Sequence, residues 1–158
     1  MLIQEITSAN APKAIGPYTP AVKLGDFIYM SGQIPVDPAT GEIVEGGIVE
    51  QTHQVLKNIE ALLAEKDLEM RHIVKTTVFM TDLGEFSAMN DIYATYFDRP
   101  YPARSTVQVG ALPKGAKVEI ECLVIDTLAY ERQMGGCGGC HGGCSDEGGC
   151  CGSECCGE

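Results

Sequence analysis

Apolar positions along this chain alternate between two periods. Phe27-Ile28-Tyr29-Met30 follows the turn signal Gly25-Asp26 and precedes Ser31-Gly32. That pattern predicts the second arm of a hairpin whose first arm is Ala21–Leu24. Pro35, Pro38 and Gly41 then mark a loop. From 48 to about 66 the period lengthens. Val55, Ile59, Leu62 and Leu63 recur at three- and four-residue spacing, which predicts a helix. Gln51, Gln54, Lys57, Asn58 and Glu65 fall on its other face, and His53, near its start, reads as a surface polar residue. The β-branched run Ile73–Met80 carries apolar side chains on both alternating faces, as a central strand does. Asp82 is placed to cap a second helix over 84–97, whose apolar stripe is Phe86, Met89, Tyr93, Tyr96 and Phe97. Pro100 and Pro102 end it, and strands are expected over 103–109 and 117–127. The order is β-β-α-β-α-β-β, with room for one more strand at the N-terminus. Two helices that cover one face of a sheet make an α+β layer. The other face is left without a helix, and a small domain buries such a face against copies of itself, so a symmetric homo-oligomer is expected.

Composition sharpens this picture in one place. The chain has 158 residues, 44% hydrophobic and 21% charged, enough for one globular domain. Nineteen Gly and eight Cys stand out, but ten of the Gly and seven of the Cys lie in 135–158. The expected organisation is a domain over 1–130 and a Gly/Cys-rich tail over 131–158, disordered without metal. The net charge of −11 argues against nucleic acid and anionic membrane as partners. No apolar run approaches ~20 residues, so no membrane span is expected. The start Met1-Leu2-Ile3-Gln4-Glu5 lacks the basic and apolar regions of a secretory signal. A reducing cytoplasm is the expected setting, where clustered cysteines favour metal or thiol chemistry over disulfides.

Candidate chemistry begins in the last strand. Val118, Ile120, Cys122 and Val124 alternate with Glu119, Glu121, Leu123 and Ile125. Leu123 and Ile125 imply that the second face is partly covered, which puts Glu119 and Glu121 on a semi-buried face. Either the strand end emerges into solvent there or a carboxylate has a function. Arg104 is expected in the neighbouring strand. Its guanidinium would either neutralise Glu119 or receive the carboxylate of a small acidic ligand. Tyr18 follows the turn Ile15-Gly16-Pro17, and Gly32 after Ser31 lets a ligand approach the backbone. No P-loop, dinucleotide-binding glycine pattern, nucleophile elbow or zinc-hydrolase motif occurs in residues 1–134.

Taken together and in order, Ala14-Ile15-Gly16-Pro17-Tyr18, Ser31-Gly32-Gln33-Ile34-Pro35, Val74-Lys75-Thr76-Thr77-Val78-Phe79, Pro102-Ala103-Arg104-Ser105 and Val118-Glu119-Ile120-Glu121 closely resemble the RidA (YjgF) family of reactive-intermediate deaminases. The resemblance covers residues 1 to about 127. It implies a chorismate-mutase-like α+β fold, a mixed sheet with two helices on one face, assembled as a homotrimer with small-molecule sites between subunits. The implied activity is hydrolysis of 2-imino acids such as 2-iminobutanoate and 2-iminopropanoate to 2-keto acids and ammonia, which protects pyridoxal-phosphate enzymes. Carried over by position, Arg104 would clamp the substrate carboxylate and Glu119 would orient or deprotonate the attacking water. Tyr18, Ser31 and Gly32 match cleft positions, Tyr18 being expected from the adjacent subunit. Asn90 matches a helix asparagine. Thr106 stands where many members have Cys, and its backbone remains able to contact ligand. No catalytic cofactor is implied. Some relatives are instead labelled endoribonucleases, and a non-catalytic metabolite-binding regulator on the same fold is the remaining alternative.

The tail is outside that resemblance. Cys137, Cys140, His141 and Cys144 place three thiols and an imidazole within eight residues, and two Cys-Cys pairs follow. Such donors suit Zn²⁺ or Cu(I). Four acidic residues and no basic ones accompany them, so the body alone still carries −7 of the −11.

Overall fold

A computed structural model of the chain describes residues 2–135. Six strands form one mixed sheet: β1 (Ile3–Ile6), β2 (Ala21–Leu24), β3 (Phe27–Gln33), β4 (Ile73–Met80), β5 (Ala103–Gln108) and β6 (Val118–Ile125). Two helices, α1 (Ile48–Ala64) and α2 (Phe86–Ala94), pack against it and against each other. The strand expected at the N-terminus is β1, which pairs antiparallel with β2. The chain beyond the body continues into α3 (Leu128–Gly135), an element that the sequence pattern did not indicate and that spans the expected boundary between body and tail.

The sheet order is β1-β2-β3-β6-β4-β5. Strands β1 to β3 form a meander, and the tight turn at Gly25 uses a left-handed φ of 60° that favours glycine. Strands β4 and β5 are parallel, a pairing that requires a crossover, and α2 supplies it. The connection through α1 leaves β3 and β4 apart, and β6 fills the gap, antiparallel to each. One expectation is corrected here. Arg104 is not on the strand beside Glu119, because β4 lies between β5 and β6.

The helix-facing side holds the core. Val118, Ile120, Cys122 and Val124 of β6 are buried, as are Thr76, Val78 and Met80 of β4. From α1 come Val55, Leu56, Ile59, Leu62 and Leu63, as the periodicity indicated. Burial of each large aliphatic side chain contributes ~1.5–3 kcal/mol. Cys122 belongs to this layer, and burial pushes its thiol pKa far up, which makes it inert.

Two polar residues assigned to the outer face of α1 are in fact buried. Gln51 accepts a hydrogen bond from the Lys117 backbone N–H at 2.8 Å. Asn58 donates to the carbonyls of Ile34 and Val36 at 3.2 and 3.0 Å. Both satisfy backbone groups of loops that cross the edge of the helix, a need that helical spacing does not reveal. His53 is half-buried and shares a 3.0 Å hydrogen bond with the Tyr96 hydroxyl. The second helix is shorter than 84–97. Asp82 accepts from the Gly84 N–H at 2.7 Å and caps a 3₁₀ turn, Leu83–Glu85, which leads into α2.

Neither α1 nor α2 covers the opposite side of the sheet. Ile3, Leu24, Phe27, Tyr29 and Val107 lie exposed on it, with Leu123 half-buried among them. Among the described residues no helix is long and apolar enough to cross a membrane.

Candidate active site

The last turn of β3 and the start of β6 meet at the rim of this uncovered face. Between Met30 and Gln33 the β3–β6 register slips, which bulges Ser31 and Gly32 out of the regular ladder. The Ser31 hydroxyl donates to the Thr19 carbonyl at 2.7 Å and ties the bulge to the loop before β2. That loop carries Tyr18, whose N–H donates to the Gly16 carbonyl at 2.9 Å in a tight turn. Tyr18, Ser31, Gly32 and Glu119 line one open cleft, with Ile15 and Pro113 as apolar walls.

Glu119 is packed against Gly32. A Cβ at position 32 would stand 1.8 Å from Glu119 Oε1 and 2.7 Å from its Cδ. Glycine at this position is what allows the carboxylate to sit over the bulge. Half-burial raises the Glu119 pKa above its usual 4.5, and the nearby Glu121 charge raises it further. Among the described residues no ion pair to Glu119 occurs. A half-buried, unpaired carboxylate with an elevated pKa at a cleft is suited to taking a proton from water.

Arg104 is elsewhere. It pairs in register with Thr76, and Glu119 pairs with Phe79. Thr76 faces the helices and Phe79 faces away, so the two side chains project from opposite faces of the sheet. Two strand spacings and three residues along β4 put their Cα atoms about 14 Å apart. Arg104 therefore does not neutralise Glu119 within one chain. Its guanidinium rests instead on α2. One Nη donates to Asn90 Oδ1 at 2.8 Å, and its Cζ lies 4.6 Å from the Tyr93 ring centre and 5.6 Å from that of Phe86. Phe86, expected in the core stripe of the second helix, is instead exposed at 36% and lies under the guanidinium.

The single chain thus brings Tyr18, Ser31, Gly32 and Glu119 together and leaves Arg104 apart. Tyr18 sits in the same cleft as Glu119 of its own chain. Thr106, two residues after Arg104, also faces the helices. Phe86 and Tyr93 were legible only as part of a helix stripe, and Asn90 only as a position matched by the family resemblance. Their signal was an asparagine within an apolar i, i+4, i+7 pattern. Cys137, Cys140, His141 and Cys144 lie outside the described residues.

A mixed sheet backed by two helices on one face, with a carboxylate cleft at the rim of the other, makes this an α+β protein with an open small-molecule cleft. Residues 8–126 match the family model described as Endoribonuclease L-PSP. The 2-iminobutanoate/2-iminopropanoate deaminase of Capra hircus is 48% identical over 120 residues, covering 76% of this chain and 88% of that protein. The RutC family protein y4sK of Sinorhizobium fredii is 49% identical, covering 78% and 98%. The crystal structure of the YjgF gene product from E. coli superposes with a TM-score of 0.74 at 44% identity, covering 77% of this chain and 98% of that one. The chain belongs to the RidA/YjgF family.

Proposed function

We propose that the chain hydrolyses small 2-imino acids, such as 2-iminobutanoate and 2-iminopropanoate, to 2-keto acids and ammonia at a site completed by two subunits of a homotrimer. The observation that carries this reading is the half-buried Glu119 over Gly32, combined with an Arg104 that has no carboxylate partner among the described residues. The relatives named for this activity support it.

Arg104 receives the substrate carboxylate in a two-pronged contact and thereby fixes the imine carbon. Glu119 takes a proton from water as the oxygen adds to that carbon, and the proton passes to the nitrogen. Glu119 then relays the carbinolamine hydroxyl proton to the amine nitrogen, the C–N bond breaks, and ammonia leaves as the carbonyl forms. The imine carbon is electrophilic by itself, so the protein supplies position and a base. Tyr18 and the bulge at Ser31-Gly32 line the cleft around the reacting atoms. The apolar face carrying Phe27, Tyr29 and Leu123 supplies the surface that a second and third copy cover.

The family description also raises RNA cleavage as a second reading. The net charge of −11 works against a polyanionic substrate. A metabolite-binding regulator would bind keto acids without turnover.

The test is keto-acid and ammonia release from imine generated in situ by a threonine dehydratase. Arg104→Ala and Glu119→Ala should each lose activity. When the two variants are unfolded and refolded together, mixed oligomers should regain about one quarter of the intact sites, because each subunit supplies what its neighbour lacks. No turnover by the wild type would sink the enzyme reading. Turnover without recovery in the mixture would sink the shared site.

A further inference from the structure

Arginines that receive anionic ligands are commonly held by an acidic partner, which cancels part of their charge. Arg104 is held differently. Among the described residues it meets the amide oxygen of Asn90 and the faces of Phe86 and Tyr93, all neutral groups on α2. Those three positions follow helical i, i+4, i+7 spacing, so one face of α2 presents them all. The Tyr93 ring is itself fixed. Its hydroxyl shares a 2.8 Å hydrogen bond with the fully buried Thr76, and its ring packs 4.5 Å from that of Phe97. Thr76 is the β4 residue in register with Arg104, so the same strand pair that positions the arginine also positions its stacking partner.

We propose that Phe86, Asn90 and Tyr93 form a neutral holder that orients the Arg104 guanidinium without cancelling its charge, with Asn90 as the positioning residue that sets affinity for a monocarboxylate. This rests on the reading of Arg104 as the carboxylate clamp. A guanidinium has five N–H donors. Asn90 engages one of the four on the two Nη atoms, and the ring faces engage none. The donors left over form a fork for a carboxylate. A ring face attracts the cation through its quadrupole and adds no formal charge. The acidity of the whole body, −7 without the tail, makes this economy consequential. A local carboxylate added to that field would turn the anion site neutral.

The shape of the holder and its neutrality can be separated. Asn90→Asp keeps the size and can keep the hydrogen bond to Arg104, but it introduces a charge. Asn90→Ala removes the hydrogen bond and keeps neutrality. Asn90 is half-buried, so both chains should fold, and thermal melting checks this. The measurements are kcat and KM with the imine substrate, and calorimetric affinity for 2-oxobutanoate, the keto-acid product. Asn90→Asp should weaken 2-oxobutanoate and raise KM by at least tenfold, with kcat changed less than threefold. Asn90→Ala should raise KM by a smaller factor, about threefold to tenfold, through a loosened guanidinium. An Asp variant that restores wild-type KM would show that only the hydrogen bond matters and would overturn the proposal. So would an Ala variant with a higher KM than the Asp variant. Arg104→Ala is measured alongside. If its KM and 2-oxobutanoate affinity equal those of wild type, the clamp reading itself fails. If Arg104→Ala loses affinity and Asn90→Asp does not, the holder alone fails.

Discussion

The contact between Gly32 and Glu119 makes a sharp prediction about Gly32→Ala. The added methyl would start 1.8 Å from Glu119 Oε1, about 1.6 Å short of the 3.4 Å at which ordinary contact begins. It would also stand 2.7 Å from Cδ and 3.0 Å from Cγ, so most of the side chain must move. Gly32 has no left-handed φ, so the backbone accepts alanine without strain. The cost falls on the glutamate rotamer, about 0.5–1.5 kcal/mol, and the loss of a glycine offsets about 0.4–1 kcal/mol of it through the unfolded chain. Stability should therefore change little. Catalysis should change more. A misplacement of order 1 Å costs about 10²-fold in rate when the group acts by position.

Keto-acid release under saturating imine gives kcat, and thermal melting of the same samples reports folding. The expected result is a folded Gly32→Ala protein about 10²-fold slower than wild type. The double variant Gly32→Ala/Glu119→Ala should be no slower than Glu119→Ala alone, because both changes act through one carboxylate. A folded Gly32→Ala enzyme with kcat within threefold of wild type would refute the claim that Glu119 works from the position seen here. Additive losses in the double variant would refute the coupling.

The raised Glu119 pKa yields a pH prediction with two readouts. Activity that needs the carboxylate should fall on acidification with a midpoint above the usual 4.5, and Glu121→Gln should move that midpoint down by removing a neighbouring charge. Because the folded pKa lies above the unfolded one, the associated stability is present at low pH and is lost as pH rises through the folded value. Glu119→Gln should accordingly melt higher than wild type at pH 7, converge with it below pH 4.5 and be inactive; a lower melting temperature at pH 7 would contradict the desolvation argument. For the tail, we propose that full-length protein carries thiolate-bound Zn²⁺ or Cu(I). Metal analysis should show it reduced in a Cys137→Ser/Cys140→Ser/Cys144→Ser variant whose turnover is unaltered, and equal metal in both proteins would remove the assignment.

Much of the body is legible in its sequence. The alternation in 118–125 identified the core face, and the structure buries Val118, Ile120, Cys122 and Val124; on the other face Glu119 is half-buried as expected, whereas Glu121, expected to be semi-buried beside it, is exposed. The spacing of Val55, Ile59, Leu62 and Leu63 placed the inner stripe of α1. Such patterns are local, because side-chain direction repeats every 2 or 3.6 residues whatever the partner is. The same logic failed for Gln51 and Asn58, whose burial depends on loops distant in sequence.

Sequence alone determined most elements of the body, the family resemblance, the sheet face left without a helix and the residue types available for chemistry. Tertiary structure decided which of those residues meet. Periodicity specifies a face for each strand but not the neighbour of that strand, since neighbours follow from crossovers and from the gap that β6 fills. With β4 interposed, Arg104 and Glu119 stand in adjacent motifs of the sequence pattern and on opposite faces of the folded sheet. The same interposition brings Arg104 over Asn90 and Tyr93, and the slip in the β3–β6 ladder sets Glu119 over Gly32. Non-local pairing of backbone hydrogen bonds is the physical reason, because it is settled by the whole sheet and not by any one strand.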